Sequence, residues 1–457
     1  MKKLVIFTSI ITGVFCAFGK VTNGMLEALK KDKIERLEVL GPMSFGDTKR
    51  LSVAFKVNQS LKDLTLKEVA INREVAEALA EGLGGNKDLR CLTVLRCNIV
   101  SPEGLAKMVE VANLGFLDLS GNKIGDVGVE KIAEALKVNS LLRSLVLHRN
   151  EIGDAGAEKL WEALKVNNGL EYVDLEGNMI GNKGATNMEA LKENETLTEL
   201  VLIDNQIRDA GAAKIAEVLK LNSSLIEIDL SDNGIGPAGA AKVAEALKIN
   251  STLMFVCFLR NEIGSEGAAS IAEALKVNTT LRSIGFGCNE IGPEGTAKIA
   301  EAYKLNSLLG SLDLSNNWIG AEGAASVGEV FEVNKTVAEL YLEECGIGSE
   351  GAKKIAEVLK VNSTLTEVDL SDNEIDPEGA ASIAEALKLN STLETLGLGF
   401  NGIGTEGAKK IAEALKVNKT LTKLGLSDDG IGEEGVASIA EALNVNSTLT
   451  GLFLWGE

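Results

Sequence analysis

The side chains in this sequence with the most chemistry to offer are its carboxylates. The 457 residues include 66 aspartates and glutamates, but only one histidine, His148, and six cysteines. A single histidine cannot form a cluster of imidazole ligands, and the cysteines lack the paired spacing of a zinc site. No serine or cysteine belongs to a recognisable catalytic motif, and no pair of carboxylates differs from its repeated copies. The sequence therefore predicts a protein that is not an enzyme and has no cofactor or metal site.

The carboxylates lie within a repeated sequence unit. The pattern L-x-x-L-x-L-x-x-N begins sixteen times, from Ile34 to Leu449, mostly at intervals of 27 or 28 residues. In the copy that begins at Leu365, "LTEVDL" alternates apolar and polar residues, as a short strand with one buried face does. The "DPEGAASIAEALKLN" that follows has helical spacing, with Asp376 as the N-cap and Pro377 at the first helical position. Each copy is therefore predicted to be one strand followed by one helix.

Such units bury their apolar faces only by stacking on one another. Stacked strands give a parallel sheet on the inner, concave face, and the helices form the outer, convex face. Ten copies have Asn at the ninth position, where its side chain can satisfy backbone groups of adjoining repeats. Cys97, Cys345 and Asp429 take that place in three others. The predicted fold is an α/β solenoid shaped like a horseshoe, in which residues 20–457 form one domain.

Four positions of each strand are predicted to face solvent on the concave side. They are the third, fifth, seventh and eighth, since the fourth and sixth point into the core. Over sixteen copies these positions hold 19 acidic and 6 basic residues. One acidic cluster comprises Glu199, Asp204, Glu227, Asp229 and Asp232. A second comprises Glu339, Glu343, Glu344, Glu367, Asp369 and Asp372.

Apolar and aromatic residues occupy the same outward positions. Phe255, Cys257 and Leu259 stand between the two acidic clusters in sequence, with Arg260 beside them, and further aromatic residues are Phe116, Tyr172, Tyr341 and Phe400. An apolar patch flanked by charge is typical of a protein-binding surface. We therefore expect these residues and the two clusters to bind a protein. The alternative is an acidic scaffold whose strand faces vary without any binding role.

The net charge of the chain limits the kind of partner. It is −20 at pH 7, and an acidic surface repels the phosphate backbone, which argues against nucleic acid as a ligand. The same charge favours a basic protein or peptide. The predicted partner is therefore a basic protein.

The repeat "LxxLxLxxNxIGxxGAxxIAEALKxNxTL" resembles the leucine-rich repeat of the ribonuclease-inhibitor type. Similar arrays occur in NOD-like receptors and in Ran GTPase-activating proteins, and the resemblance covers about residues 22–457. It implies a leucine-rich-repeat horseshoe that binds protein on its concave face and rim. Few cysteines and nearly uniform repeats depart from the ribonuclease inhibitors. The alternative function that the resemblance implies is a cytosolic GTPase-activating or NOD-like regulatory protein.

The two ends of the sequence carry further predictions. Two lysines, an apolar run and a small-x-small site make residues 1–19 typical of a secretory signal peptide, so we expect a secreted protein, with a cytoplasmic one as the alternative. The run is too short for a membrane span, and a degenerate first repeat is the other interpretation. At the C-terminus "LTGLFLWGE" ends on a strand whose exposed edge could support self-association, with Phe453 and Trp455 facing outward.

Ten Asn-x-Ser/Thr sequences have the form of glycosylation sites. All fall at one repeat position, where the asparagine ends the helix and the serine or threonine leads into the next strand. The repeat explains them without glycosylation, and they add nothing to the prediction of secretion.

Overall fold

The computed structural model describes residues 8–9, 14–18, 21–69, 71–99, 101–111 and 113–454. The chain divides into two compact units, Met1–Asp229 and Leu230–Glu457. Both consist of strand–helix repeats, as the sequence predicts. The single domain inferred for residues 20–457 stays a prediction.

The first unit contains a sheet of short strands, in which each repeat adds one strand. The described strands are β1 Thr8–Ser9, β2 Val14–Phe18, β3 Arg36–Leu40, β4 Asp63–Lys67, β5 Cys91–Leu95, β6 Phe116–Asp118, β7 Ser144–Val146, β8 Tyr172–Asp174, β9 Glu199–Val201 and β10 Glu227–Asp229. From β2 to β10 consecutive strands pair in parallel, and β1 pairs antiparallel with β2. Most of the predicted signal peptide lies outside the described residues, and its cleavage stays a prediction.

The helices of the first unit follow the strands in sequence. They are α1 Asn23–Lys30, α2 Phe45–Val57, α3 Arg73–Gly84, α4 Pro102–Val109, α5 Gly125–Leu136, α6 Asp154–Leu164, α7 Asn182–Thr186 and α8 Arg208–Leu219, with a 3-10 helix at Asn187–Glu193. Neighbouring repeats place each helix against the next, so the helices form one layer and the strands another.

The second unit repeats the same plan. Its strands are β11 Phe255–Cys257, β12 Ser283–Gly285, β13 Ser311–Asp313, β14 Glu339–Tyr341, β15 Glu367–Asp369, β16 Thr395–Gly397, β17 Lys423–Gly425 and β18 Gly451–Phe453, all parallel to their neighbours. Its helices are α9 Pro237–Leu247, α10 Gly264–Leu275, α11 Gly292–Leu305, α12 Gly320–Val333, α13 Gly348–Val361, α14 Pro377–Leu387, α15 Gly404–Leu415 and α16 Gly432–Leu443. Among the described residues, no helix has both the length and the hydropathy needed to cross a bilayer.

The start of α14 shows why the sequence forms a helix there. The Asp376 side chain accepts hydrogen bonds from the backbone N–H groups of Glu378 and Gly379, which confirms its predicted role as N-cap. Gly379 is fully helical, but a Cβ there would lie 3.1 Å from the Cα of Ser349 in the preceding helix. The glycine therefore lets consecutive helices approach closely.

The asparagines at the ninth position join adjacent repeats, as predicted. The Oδ1 of Asn150 accepts a hydrogen bond from the N–H of Asn122 at 2.9 Å, and its Nδ2 donates to the carbonyl of Leu119 at 3.0 Å. One amide thus satisfies a donor and an acceptor of the preceding repeat. In the copy with Cys345 the thiol donates instead, to the carbonyl of Leu314 at 3.1 Å.

Asp429, at the same ninth position, can accept a hydrogen bond from the preceding repeat but does not donate one. Its Oδ1 accepts the N–H of Asn401 at 2.8 Å, as an asparagine would. Its Oδ2 is buried and has no hydrogen-bond partner among the described residues. Burial raises the pKa of Asp429 from 3.8, the usual aspartate value, to about 7.

The ten Asn-x-Ser/Thr asparagines form a second, buried set. In the copy ending at Asn390, Nδ2 donates to the carbonyl of Leu359 and Oδ1 accepts from the N–H of Leu393, each at 2.8 Å. All ten are buried: Asn58, Asn194, Asn222, Asn250, Asn278, Asn334, Asn362, Asn390, Asn418 and Asn446. These asparagines are structural, as the repeat predicts, and a glycan on any of them would require its repeat to open.

Candidate protein-binding surface

The outward strand positions lie on the solvent side of the sheet in both units. Around β14 the fourth and sixth positions, Leu340 and Leu342, are fully buried, which confirms the inferred alternation. The predicted binding residues that are exposed are Asp204, Glu227, Asp232, Arg260, Glu339, Glu344 and Asp372. Those that are half-buried are Phe116, Tyr172, Glu199, Asp229, Phe255, Leu259, Tyr341, Glu367 and Asp369. Their role in binding stays a prediction.

We call the second cluster, Glu339, Glu343, Glu344, Glu367, Asp369 and Asp372, the acidic face. The register of β14 and β15 sets Glu339 opposite Glu367 and Tyr341 opposite Asp369. Parallel strands are about 4.8 Å apart, so the like charges of Glu339 and Glu367 are close neighbours. The Tyr341 hydroxyl donates to Glu339 Oε2 at 3.4 Å. Burial and the charges of Glu339 and Glu367 raise the pKa of Tyr341 well above its usual value.

Within the described residues, no ion pair with lysine or arginine neutralises the acidic face. Burial raises the pKa of Glu343, and the neighbouring charges of Asp369, Glu344 and Asp372 raise it further. The side-chain amide of Asn316 donates to Glu344 at 2.6 Å. In the part of the chain that the structure describes, none of the six carboxylates forms an ion pair with a lysine or arginine.

A shallow depression of about 260 Å³ adjoins the acidic face on the same unit. Its floor includes Gly397, Gly399 and Gly425, whose missing side chains leave room above the sheet. A Cβ at Gly397 would overlap the Asp369 carboxylate. Phe400 and Phe453 line the depression and are 57% and 51% exposed, so two aromatic rings stand beside the carboxylates. The sequence marked Phe400 as outward, but only the structure shows that a depression lies beside it.

The predicted apolar patch is less exposed than expected. Cys257 lies at an outward position but is 6% exposed, and the Ser231 hydroxyl lies 3.1 Å from its sulfur. Leu259 leans over Gly285, where a Cβ would lie 2.6 Å from its Cδ1. The glycine thus lets the leucine lie flat on the sheet. Phe255 and Leu259 remain partly accessible, and Arg260 is exposed.

The first unit holds part of the other acidic cluster. Strand pairing places Glu227 opposite Glu199, and Glu199 opposite Tyr172. Burial, Glu227 and Asp174 raise the pKa of Glu199. Burial, followed by the charges of Asp174 and Glu199, raises the pKa of Tyr172 to about 12. Asp232 belongs to the second unit.

The single histidine has acidic neighbours that sequence reasoning missed. His148 Nδ1 lies 3.3 Å from Glu176 Oε2, and ligand atoms of His148, Asp174 and Glu176 all lie within 4.8 Å of one another. A metal site was not expected from the sequence because the chain has one histidine and no paired cysteines, and carboxylate ligands from the next repeat were overlooked. The available clue was positional, since Glu176 occupies the same strand position as His148, one repeat later.

Comparison with known proteins agrees with this fold. A model of the leucine-rich repeat matches residues 112–133, 138–160, 193–216, 221–244, 277–300, 305–328, 333–356, 361–384 and 389–412. Leucine-rich repeats therefore occur along the chain, and its fold class is the α/β leucine-rich-repeat solenoid. The ribonuclease-inhibitor subtype stays a prediction.

Two solved structures show a partial likeness. An internalin from Listeria monocytogenes is 18% identical, with a TM-score of 0.44, over 88% of this chain and 88% of its own. Actin-binding site 2 of leiomodin-1 is 25% identical, with a TM-score of 0.29, over 33% of this chain and 87% of its own. The sequence matches none of the curated proteins with which it was compared.

Proposed function

We propose that this chain is a non-enzymatic scaffold that binds a basic protein on the solvent side of its strands. Leucine-rich-repeat solenoids typically present extended surfaces to protein partners and are typically not enzymes. The observation that carries the proposal is the acidic face, where six half-buried or exposed carboxylates crowd together without a lysine or arginine partner in the described residues.

The geometry favours lysine and arginine side chains as the groups recognised. Two unit charges about 4 Å apart in water repel by about 1 kcal/mol, and a cation that arrives between them removes this repulsion. An arginine can donate two parallel hydrogen bonds to one carboxylate. The depression beside Asp369 offers space for such a side chain, and Phe400 offers an aromatic ring for cation–π contact. Lys423 also lines this depression but forms no ion pair with its carboxylates among the described residues.

A peptide selection tests the proposal. Displayed random peptides are selected on the intact chain and counter-selected on a variant with Glu367→Lys, Asp369→Lys and Asp372→Lys. We expect the enriched peptides to carry lysine or arginine, and we expect the affinity of a synthetic copy to fall as salt rises. Enrichment of acidic or purely apolar peptides, or equal binding to both proteins, would contradict the proposal.

A matched control distinguishes a site from general acidity. Glu357→Lys, Glu385→Lys and Glu413→Lys reverse the same amount of charge on the helix layer of the second unit. We expect these changes to leave peptide affinity within about twofold, as distant surface charges are screened. Reversal of Glu227, Asp229 and Asp232 in the same assay asks whether the first cluster also takes part.

We propose further that the protein is exported and is of the ribonuclease-inhibitor type. The sequence of residues 1–19 supports export, and the repeat consensus supports the subtype. A cytosolic regulator of a GTPase is the other reading of the same consensus. N-terminal sequencing of the protein recovered from its native source separates them, because a mature chain that begins near residue 20 contradicts the cytosolic role.

Self-association through the C-terminal strand is a separate proposal. Within the described residues β18 pairs on one side only, with β17, and Phe453 is 51% exposed. Trp455 lies outside the described residues. Sedimentation at micromolar concentration gives the mass, and a monomer would overturn this proposal.

A further inference from the structure

The surroundings of the single histidine form a second candidate site, in the first unit. We propose that His148, Asp174 and Glu176 bind a divalent transition-metal ion of the zinc class. One ligand atom from each residue lies within 4.8 Å of the other two, and His148 Nδ1 is 3.3 Å from Glu176 Oε2. Ligands bonded to tetrahedral zinc at about 2.0–2.2 Å are roughly 3.3 Å apart, so the His148–Glu176 separation already fits.

The repeat holds these residues in position. His148 follows β7 and Glu176 follows β8 at the same position of consecutive repeats, and the N–H of Arg149 donates to the carbonyl of Glu176 at 2.8 Å. Asp174 lies on β8, two residues before Glu176, so its side chain emerges on the same face of the sheet. The backbone therefore supplies the three ligands without any rearrangement of the strands.

Hydrogen bonds orient the Asp174 carboxylate. Its Oδ1 accepts a hydrogen bond from the N–H of Glu176 at 2.8 Å, which fixes the carboxylate plane. One oxygen of this carboxylate lies within 4.8 Å of the His148 and Glu176 ligand atoms, and the Tyr172 hydroxyl, which also hydrogen-bonds Asp174, helps to hold it there. A hydrogen-bonded ligand carboxylate is the usual arrangement around protein-bound metals.

Burial and charge also suit a cation. The His148 and Glu176 side chains are 25% and 28% exposed, so the site is partly shielded from water yet open to an ion. Arg149 is the nearest basic residue in sequence, but it forms no ion pair with Asp174 or Glu176 within the described residues. Its side chain lies against Gly177 instead.

The ligand types select the class of metal. Calcium and magnesium prefer all-oxygen sites, whereas imidazole suits zinc, copper and nickel. Three protein ligands leave the fourth position of a zinc ion for water or for a donor from another molecule. The simpler alternative is a hydrogen-bonded His148–Glu176 pair without metal, and the experiment must separate the two.

Because the chain has one histidine, that residue reports directly on binding. The protein is prepared without a histidine tag, freed of metal with a chelator and titrated with Zn²⁺. Calorimetry gives the stoichiometry, and the imidazole resonances of His148 are followed by NMR. We expect one ion per chain, with the His148 resonances shifting in step with the calorimetric signal, and no such shift with excess Ca²⁺.

Variants complete the test. His148→Ala, Asp174→Asn and Glu176→Gln are each expected to weaken Zn²⁺ binding at least about tenfold, while circular dichroism shows that the repeats remain folded. Asp313→Asn removes a carboxylate at the strand position of Asp174 in the second unit, where Asp313 Oδ1 likewise accepts the N–H two residues on, and should leave Zn²⁺ affinity unchanged. Absence of stoichiometric binding, or an equal loss in this control variant, would overturn the site. Neither result bears on the acidic face, which lies in the other unit.

Discussion

The two layers of the second unit carry their carboxylates in different surroundings. On the helices, Lys388 Nζ lies 2.6 Å from Glu385 Oε1 and holds the pKa of Glu385 below its usual value. On the strand side, Glu343 is surrounded by other carboxylates, and its pKa is raised. Glu385 is thus balanced by a lysine one turn away, whereas the carboxylates of the acidic face form no ion pair with lysine or arginine among the described residues. Strands are not unpaired everywhere, since Arg36 Nε lies 2.8 Å from Asp63 Oδ2 in the first unit. The unpaired carboxylates of the acidic face are the reason why we assign binding to that face.

The largest expected effect comes from a carboxylate that belongs to neither surface. Asp429→Asn would supply the missing N–H donors at a buried position, and we expect it to raise the free energy of unfolding by about 2 kcal/mol at pH 8. Asp429→Asn thus tests whether burial without a donor, rather than charge alone, costs stability. Urea denaturation followed by circular dichroism measures the change. Asp428→Asn, at the exposed neighbour, should have little effect.

The same substitution has a defined pH dependence. The folded pKa of Asp429, about 7, exceeds its usual value of 3.8, so the native state binds this proton more tightly than the unfolded state. The wild-type chain therefore loses stability as pH rises from about 4 to about 7, and the full loss persists, without further pH dependence from this group, above that range. The advantage of the asparagine should shrink toward pH 4, and a constant difference from pH 4 to pH 8 would refute this explanation.

Two exposed apolar side chains, one on each layer, test the assignment of binding directly. Phe400→Ala, on the strand side, should weaken binding of the selected basic peptide about tenfold, because an exposed ring beside the carboxylates is a typical anchor. Leu389 lies two residues after the end of α14 and is 66% exposed. Leu389→Ala should not change the affinity for the peptide. Fluorescence titration measures both. Equal losses would show that the peptide does not distinguish the layers.

Replacing glutamate by glutamine on the strand side should stabilise the protein. Glu343→Gln removes one of several crowded negative charges, and we expect a gain of about 0.5 kcal/mol at low salt, reduced by solvent screening and lost in high salt. The raised pKa of Glu343 predicts the same trend with pH, since wild-type stability falls as pH rises through that raised value. Urea denaturation at two salt concentrations provides the measurement.

Replacing glutamate by glutamine on the helix layer should lower stability, and this is the smallest effect that we expect. Glu385→Gln removes the partner of Lys388, and we expect a decrease in melting temperature of about 1 °C or less. Thermal unfolding followed by circular dichroism detects it. If both glutamine variants shifted stability the same way, the contrast between the layers would fail.

Much of the fold was predictable because the sequence of each repeat contains the local signals for its strand and its helix. Leu365, Val368 and Leu370 alternate as a strand must, and Asp376 with Pro377 marks the start of α14, where the structure has it. The outward side of the strands followed from the same alternation. The sequence did not reveal that Cys257 is buried, because its cover comes from side chains of the neighbouring repeats.

The candidate sites were predictable only in part. Glu339 and Glu367 could be paired from repeat length alone, and the register of β14 and β15 confirms that they are opposite each other. The depression beside Phe400 depends on which side chains are absent from two neighbouring repeats, and the contact of His148 with Asp174 and Glu176 depends on side-chain rotamers. Neither the depression nor the His148 contact can be predicted from the sequence pattern of a single repeat.

The sequence by itself determined the unit, its strand and helix, and which residues face solvent, because these follow from local periodicity and capping. Tertiary structure alone decided which strand carboxylates have a cation within reach, which buried oxygen lacks a donor and which side chains meet around the histidine. Those properties depend on distances between atoms of different repeats, and a repeating sequence fixes the order of its units but not the separation of individual side-chain atoms.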